Sequence, residues 1–273
     1  MKNDFKKKIF FKFKLLLLKT IKFIIEKINF FILPDLIKNK FNSNFDKDSR
    51  SYIFRKKSNF IDVLKIESTE YSTKLCALGK KYLTDKSPIN LKGHRHPYTA
   101  VYDLLFNNFQ NEKFNYAEIG ILNNASIKMF RKYFKKANLY GFEFNKRFIK
   151  KAKKDNLKNT YYREIDVKNE KKILNAFKKT KKKFKIIIED STHEFDDQIR
   201  VIKNITNFLE PGGYLIIEDI FHEPKNLEKK YYESIKKYEH LFEKIYFIEC
   251  NHINKYSPGW NNDKLLIMKR NNL

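Results

Sequence analysis

The chain has 273 residues and a formal net charge of +26 at pH 7, a length that suits one large hydrophobic core with some chain to spare. Its two cysteines, Cys76 and Cys250, are far apart and form no metal-binding pair, which excludes a disulfide scaffold and a zinc cluster and indicates a reducing, cytoplasmic location. Only eight of the 58 basic residues are arginine, the side chain that most often reads bases, and the frequent Lys, Asn, Ile and Phe are typical of an AT-rich coding sequence. We therefore expect the charge to favour anionic surfaces, without making nucleic acid a partner.

Residues 1–41 are predicted to form a basic amphipathic helical extension. The segment 10–33 is strongly apolar, but charged residues interrupt it too often for a transmembrane helix, and it lacks the small-residue cleavage site of a signal peptide. Its apolar residues follow helical spacing up to Pro34, so we expect a helix that lies in an anionic interface at the inner face of the membrane. The alternative is a helix that packs on the rest of the protein or on a second subunit of a homo-oligomer.

The remaining chain is predicted to pass from a linker into an α/β domain. Residues 42–58 are polar and typical of a linker, and residues 59–113 are expected to be mostly helical around a polar loop at 84–97. From Asn115 onward strands and helices alternate, which predicts a Rossmann-like doubly wound α/β fold with a seven-stranded, mostly parallel sheet. No helix separates the last two strands, so they should form an antiparallel pair at one edge. The predicted strands are 115–121, 138–144, 160–166, 184–190, 213–220, 242–250 and 264–270, and the predicted helices are 126–136, 146–154, 170–179, 195–208 and 226–239.

Two apolar runs that end in carboxylates give the strongest indication of a functional site. The run 186–188 is followed by Asp190 and His193, and the run 214–217 is followed by Glu218 and Asp219. If both runs are parallel strands, these four side chains meet at the edge of the sheet where ligands bind in open α/β folds. Three carboxylates and an imidazole in one crevice predict a divalent-metal site with a resident base.

A second group of residues predicts a nucleoside pocket. Gly120 lies at the first strand-to-helix turn, where a ligand can approach the backbone and the helix N-terminus favours polar groups. Glu143, at the end of the second strand, is placed to accept hydrogen bonds from ribose hydroxyls, and Asp166, after the third, from an adenine amino group. Glu143 could instead be a surface carboxylate and Asp166 a helix N-cap. A pocket of this kind without a pyrophosphate cradle favours S-adenosylmethionine over NAD.

Several motifs in sequence order resemble those of class I S-adenosylmethionine-dependent methyltransferases. The chain looks most like the metal-dependent sugar O-methyltransferases of the macrocin and mycinamicin type and the related cephalosporin-hydroxylase-like proteins, over roughly residues 82–270. In one respect the sequence departs from that family, because its first cofactor loop carries Leu122, Asn124 and Ala125 where the family is richer in glycine. The motifs that carry the resemblance are Thr84-Asp85-Lys86, His96-x-Tyr98 with Tyr102, Glu118-Ile119-Gly120 through Ser126-x-Lys128-Met129, Tyr140-Gly141-Phe142-Glu143, Asp190-x-x-His193, Glu218-Asp219 and Trp260 to Leu266.

The resemblance implies a methyltransferase domain at 114–273 that transfers a methyl group to a hydroxyl of a sugar or glycan-like acceptor. It implies Mg²⁺ bound by Asp190, Glu218 and Asp219, with His193 as general base beside Asp190. The residues implied to bind S-adenosylmethionine are Lys86, Tyr98, Glu118, Gly120, Ser126, Glu143 and Asp166.

Two other functions are compatible with the same residues. Two carboxylates and a histidine could hold non-haem iron, as in a metal-dependent hydroxylase-like relative. The glycine-poor loop would instead suit a basic membrane- or nucleic-acid-associated binding protein with a degenerate methyltransferase fold. The acidic cluster argues against the second alternative, because it repels phosphate groups unless metal is bound.

Overall fold

The structure is a computed structural model that describes residues 52–57 and 62–272. The predicted N-terminal helix at 10–33 lies outside the described residues. The strands are β1 (Tyr52–Lys57), β2 (Asp62–Glu67), β3 (Asn115–Ile119), β4 (Asn138–Glu143), β5 (Thr160–Glu164), β6 (Phe184–Glu189), β7 (Leu209–Ile217), β8 (Phe242–Asn251) and β9 (Lys264–Arg270). The helices are α1 (Lys74–Tyr82), α2 (Tyr98–Phe106), α3 (Ala125–Tyr133), α4 (Lys146–Lys154), α5 (Glu170–Lys178), α6 (Phe195–Ile205) and α7 (Leu227–Ile235).

The sheet is Rossmann-like and mostly parallel, as predicted. Its strand order within the described residues is β1-β2-β8-β9-β7-β6-β3-β4-β5. Strands β7, β6, β3, β4 and β5 run parallel to one another, and β9 lies antiparallel between β7 and β8. All seven predicted strands, β3 to β9, are present within a few residues of their predicted bounds.

The beginning of the described chain differs from the prediction. The sheet has nine strands because β1 lies in the predicted linker and β2 in the segment expected to be mostly helical. Strand β2 pairs in parallel with β8, about 180 residues further along the chain, so Asp62 lies opposite Tyr246. The β8–β9 pair is antiparallel as predicted but lies inside the sheet, since β2 covers its outer side. A short apolar run does not by itself distinguish a strand from a helix, and here the pairing with the distant strand β8 makes the segment a strand.

Buried side chains cover both faces of the sheet. On β6, Ile187 packs into the cluster under α5, α6 and α7, whereas Ile186 and Ile188 pack into the cluster under α1, α2 and α3. This alternation follows from the two-residue period of a strand, and it explains why the central strands are apolar almost throughout. The two cores hold the strand ends, and hence the side chains that follow them, in fixed positions.

Polar caps fix the start of several helices. The Asn145 side chain accepts a hydrogen bond from the backbone N–H of Arg147 at the start of α4, and the Asn169 side chain accepts one from Lys172 at the start of α5. Each cap satisfies a backbone donor that has no partner within the helix. Among the described residues, no helix combines the length and apolar character that a membrane crossing requires.

Candidate functional site

A cavity of about 820 Å³ opens at the C-terminal ends of β3, β4, β5 and β6. This volume lies in the range of small-molecule and cofactor sites, and the position is the one where open α/β sheets bind ligands. The segment 83–94, which precedes α2, forms another wall. The predicted site residues that line the cavity are Lys86, Glu118, Gly120, Ser126, Glu143, Asp166, Asp190, His193 and Asp219.

Gly120 lets two strand ends approach each other closely. It follows β3 with a φ of 87°, and the backbone N–H of Asp190 donates to the Ile119 carbonyl beside it at 2.8 Å. A Cβ atom on Gly120 would lie 2.6 Å from the carbonyl carbon of Asp190 and 2.8 Å from Cα of Ser191. Glycine is therefore required both by the left-handed backbone and by the contact with the loop that carries Asp190.

Asp190, His193 and Asp219 form a group of potential metal ligands. One ligand atom from each lies within 4.8 Å of the other two. Nδ1 of His193 is 3.6 Å from the Asp219 carboxylate and 3.9 Å from that of Asp190, and this buried nitrogen has no hydrogen-bond partner among the described residues. His193 and Asp219 both have left-handed backbones, with φ of 60° and 56°. Such conformations cost free energy and are found where the surrounding structure needs a side chain in one particular direction.

A buried lysine lies at the centre of the remaining carboxylates. The Lys86 ammonium donates to Asp190, donates to Glu218 at 2.5 Å and lies 3.7 Å from Glu118. Burial opposes the charge of this group, but the three carboxylates outweigh burial and raise the pKa of Lys86 well above its ordinary value. Burial, reinforced by Asp219 and opposed by Lys86, raises the pKa of Asp190 to about 7. One ammonium thus faces more carboxylates than it can neutralise, and a further cation would be stabilised here.

Three buried tyrosines orient the carboxylates. Their hydroxyl groups donate one hydrogen bond each, from Tyr98 to Asp219 at 2.6 Å, from Tyr102 to Glu218 at 2.5 Å and from Tyr116 to Glu118 at 2.8 Å. Sequence reasoning did not single out Tyr116, although its position two residues before Glu118 on β3 places both side chains on one face of the strand. Because each tyrosine is buried, its hydroxyl fixes the direction of the carboxylate that it contacts.

Tyr98 and Glu218 have surroundings other than those predicted. Tyr98, predicted to bind the cofactor, does not line the cavity, because its hydroxyl is engaged by Asp219 and by the carbonyl of Asn262. Glu218, predicted as a metal ligand, is bound by Lys86 and Tyr102 and lies outside the group formed by the other two predicted ligands and His193.

The predicted nucleoside-binding residues line the cavity, but some already have partners. Glu143 accepts hydrogen bonds from the backbone N–H groups of Ile121 at 3.2 Å and Leu122 at 3.1 Å, so it holds the first loop in place. Asp166 pairs with Lys172 at 3.1 Å, and this hydrogen bond is the main reason that its pKa is lowered. The Ser126 hydroxyl donates to the Glu118 carboxylate at 3.0 Å. These contacts preorganise the wall of the cavity.

The glycine-poor loop leaves the cavity open. Leu122 adopts a φ of 42° and Asn124 a φ of 68°, which are conformations that glycine adopts most easily. The side chain of Leu122 is 58% exposed, and the backbone N–H of the same residue is held by Glu143. Leucine therefore takes the place of glycine here at the cost of backbone strain and without filling the site.

His96 belongs to a buried network behind Asp219. Its Nδ1 contacts the Asp263 carboxylate at 2.7 Å, its Nε2 lies 3.8 Å from Asp219, and its ring stacks on Tyr98. Burial opposes protonation, but the hydrogen bond that the ring donates to Asp263 and the charge of Asp219 prevail and raise the pKa of His96. Neither His96 nor His222 lines the cavity, whereas His94 does.

The fold and the site together define an open α/β protein with a cavity and a group of potential metal ligands at the switch point of its sheet. The sequence profile of a family described as a methyltransferase domain matches residues 123–270. The chain belongs to this methyltransferase family, and its fold is the class I S-adenosylmethionine-dependent methyltransferase fold predicted from the sequence. Among curated protein sequences, no match to this chain is found.

Solved structures with the same fold include the MycE methyltransferase from the mycinamycin biosynthetic pathway. A crystal form in complex with Mg and SAH shares 18% identity and a TM-score of 0.55, covering 74% of this chain and 56% of that chain. The complex with Mg, SAH and mycinamycin VI gives 17% identity and the same TM-score and coverage. The chain thus spans a little over half the length of MycE, and at this identity the likeness concerns the fold.

Proposed function

We propose that this methyltransferase transfers the methyl group of S-adenosylmethionine to a hydroxyl of a sugar or glycan-like acceptor with the help of a divalent metal. The observation that carries the proposal is the meeting of Asp190, His193 and Asp219 on the wall of the cavity. The MycE structures, which contain Mg and SAH and in one case mycinamycin VI, support the same combination of ligands on the same fold.

The described residues fit a metal ion. Asp190 and Asp219 offer the carboxylate oxygens that Mg²⁺ prefers, and the unpartnered Nδ1 of His193 faces both. The excess of carboxylates over the single ammonium of Lys86 favours a cation at this place. A bound Mg²⁺ would supply the positive charge that lowers the pKa of an acceptor hydroxyl and fixes its orientation.

His193 is proposed as the general base. Its Nδ1 faces the two aspartates at 3.6 and 3.9 Å, and Nε2 is the nitrogen proposed to take the proton of the acceptor hydroxyl. Asp219 is in turn held by the Tyr98 hydroxyl at 2.6 Å, so the imidazole faces a carboxylate of fixed orientation. Alignment of two reactants in such a cavity can lower the barrier by about 7–11 kcal/mol in good cases.

S-adenosylmethionine would supply a methyl group already activated by its sulfonium charge. Glu118, Gly120, Glu143 and Asp166 are the residues proposed to surround it, because they line the cavity along the ends of β3, β4 and β5. Of these, Glu118 has a buried carboxylate oxygen without a hydrogen-bond partner among the described residues. That oxygen lies 3.7 Å from the Lys86 ammonium and is proposed to accept a hydrogen bond from a polar group of the ligand.

The first experiment is a calorimetric titration of S-adenosylmethionine into the full chain, with Mg²⁺ and then with EDTA. Micromolar binding is expected in both conditions, because the nucleoside pocket is formed by residues other than the metal ligands. Absence of binding in both conditions would contradict the proposal and favour the alternative of a binding protein with a degenerate cofactor site.

The role of His193 is tested by His193→Ala, with His94→Ala as a matched control from the opposite wall of the cavity. Release of SAH is measured with a panel of simple glycosides as acceptors, and metal affinity with Mn²⁺ as a spectroscopic substitute for Mg²⁺. If His193 is the base, the His193→Ala variant is expected to lose most of its turnover, by about 10²–10⁴-fold, while it still binds S-adenosylmethionine and Mn²⁺. A large loss of Mn²⁺ affinity would instead make His193 a ligand, as in the hydroxylase-like alternative, in which iron is bound by two carboxylates and a histidine.

A further inference from the structure

Twelve exposed lysines lie at one edge of the sheet. They occur in the segments 132–137, 151–159 and 178–183, which end α3, α4 and α5 and lead into β4, β5 and β6. Because these strands are parallel, the three connections lie at the same edge, opposite the strand ends that form the cavity. We call these residues the lysine face: Lys132, Lys135, Lys136, Lys151, Lys153, Lys154, Lys158, Lys178, Lys179, Lys181, Lys182 and Lys183.

The loops at the two ends of the central strands differ in charge. In the three segments of the lysine face Asp155 is the one carboxylate, and it pairs with Lys128 at 2.8 Å. At the cavity edge, by contrast, the segments 190–197 and 218–224, which follow β6 and β7, hold seven carboxylates and no lysine or arginine, whereas the loops after β4 and β5 carry Lys146, Arg147 and Lys168.

Helix dipoles account for part of this arrangement only. A cation in the last turn of a helix is stabilised by the carbonyl groups there, which explains lysines such as Lys132 and Lys178. Lys136, Lys158 and Lys182 lie beyond the helix ends, where the dipole has faded. None of the twelve lysines forms a salt bridge with a described residue. Asp155, which lies near Lys151, is the one acid among them, so most of their mutual repulsion is not offset by a neighbouring carboxylate in these segments.

We propose that the lysine face docks the protein on a membrane surface rich in anionic lipid headgroups, with the cavity turned toward the aqueous side. Lysine is suited to this task, since clusters of lysines attract anionic leaflets through charge alone and without a fixed geometry. The carboxylates at the cavity edge are repelled by the same surface, so the polarity of the molecule fixes its orientation. The basic apolar sequence at 10–33 supplies a second attachment of the same chemistry.

The residues of the lysine face favour a membrane over nucleic acid. Arg131, which adjoins the face, is half-buried and donates to the carbonyl of Ala137 at 2.6 Å, so its guanidinium is not free to contact bases. The aromatic residues in the three segments, Tyr133 and Phe134, are buried, whereas single-stranded nucleic acids are held by exposed aromatic platforms. The face also lies away from the cavity, so it could not deliver a polyanion to the methyl donor.

The test compares two quadruple variants of the full chain that lose the same charge. One carries Lys135→Gln, Lys136→Gln, Lys179→Gln and Lys182→Gln on the lysine face, and the control carries Lys74→Gln, Lys80→Gln, Lys81→Gln and Lys225→Gln at exposed positions elsewhere. Partition is measured on vesicles of phosphatidylcholine and phosphatidylglycerol in equal parts and on pure phosphatidylcholine vesicles. Mixed-sequence single-stranded RNA is titrated in parallel, and S-adenosylmethionine binding reports folding.

We expect the face variant to lose vesicle partition by about fivefold for each lysine that reaches the headgroups, and by about six-hundredfold if all four do. The control variant should stay close to the unaltered protein, and binding should weaken as salt rises. Equal losses of vesicle partition in the two variants would show that only the total charge matters. No loss in the face variant would show that residues outside the lysine face attach the protein to the vesicle. Either result overturns the proposal. A loss of RNA affinity with unchanged vesicle partition would overturn it in favour of nucleic acid.

Discussion

The substitution Gly120→Ala tests the close approach on which the site is built. The added Cβ would meet the Asp190 carbonyl group and Cα of Ser191, which are backbone atoms and cannot rotate away. A left-handed backbone costs alanine about 1–2 kcal/mol, and overpacking of a rigid contact costs about 1–3 kcal/mol. We therefore expect a loss of about 2–5 kcal/mol in the free energy of unfolding, and weaker S-adenosylmethionine binding because the loop that carries Asp190 must move.

Gly259→Ala is the matched control for this prediction. Gly259 has a φ of 82°, close to the 87° of Gly120, but a Cβ there would meet no atom within 4 Å. Urea denaturation of both variants therefore separates the backbone strain that they share from the steric contact that only Gly120 makes. The difference between them should be about 1–3 kcal/mol. If both variants unfold at the same urea concentration, the close packing of β3 against the Asp190 loop does not hold the site together.

Two further predictions concern the buried charges. Lys86→Met should lower the free energy of unfolding by about 3–5 kcal/mol in urea denaturation, because it leaves buried carboxylates uncompensated. The control Lys92→Met, on the exposed cavity wall, should change the free energy of unfolding little. Similar values for both variants would contradict the central role of the buried ammonium. The pKa of His96 is raised by its contact with Asp263, so the stability that protonation of this histidine contributes should be fully present below its unfolded pKa of about 6.5 and be lost as the pH rises through the higher folded value. His96→Gln should thus be most destabilising in acid, and a pH-independent difference from the unaltered protein would refute the assignment.

Much of the fold was predictable because it depends on local patterns. The period-two and helical runs between Asn115 and Arg270 gave the seven strands, and the helix Lys146–Lys154 was predicted at its observed bounds. Strand β2 was not predicted, because its partner β8 lies about 180 residues away in the sequence. Pairing over such a distance is a property of the whole sheet, to which local propensity contributes little.

The candidate site, like the fold, was predictable from the sequence only in part. Placement of Asp190 and Asp219 at neighbouring strand ends follows from the sequence, since carboxylates after buried parallel strands share one edge. The sequence alone could not decide which of the adjacent residues Glu218 and Asp219 lies beside His193, because their side chains face different surroundings. Tertiary structure directs Glu218 to Lys86 and Tyr102, while the left-handed backbone of Asp219 directs its carboxylate to His193. Composition and periodicity therefore determined which residues come to the edge of the sheet, and only the packing of distant segments around them determined which carboxylates lie beside His193.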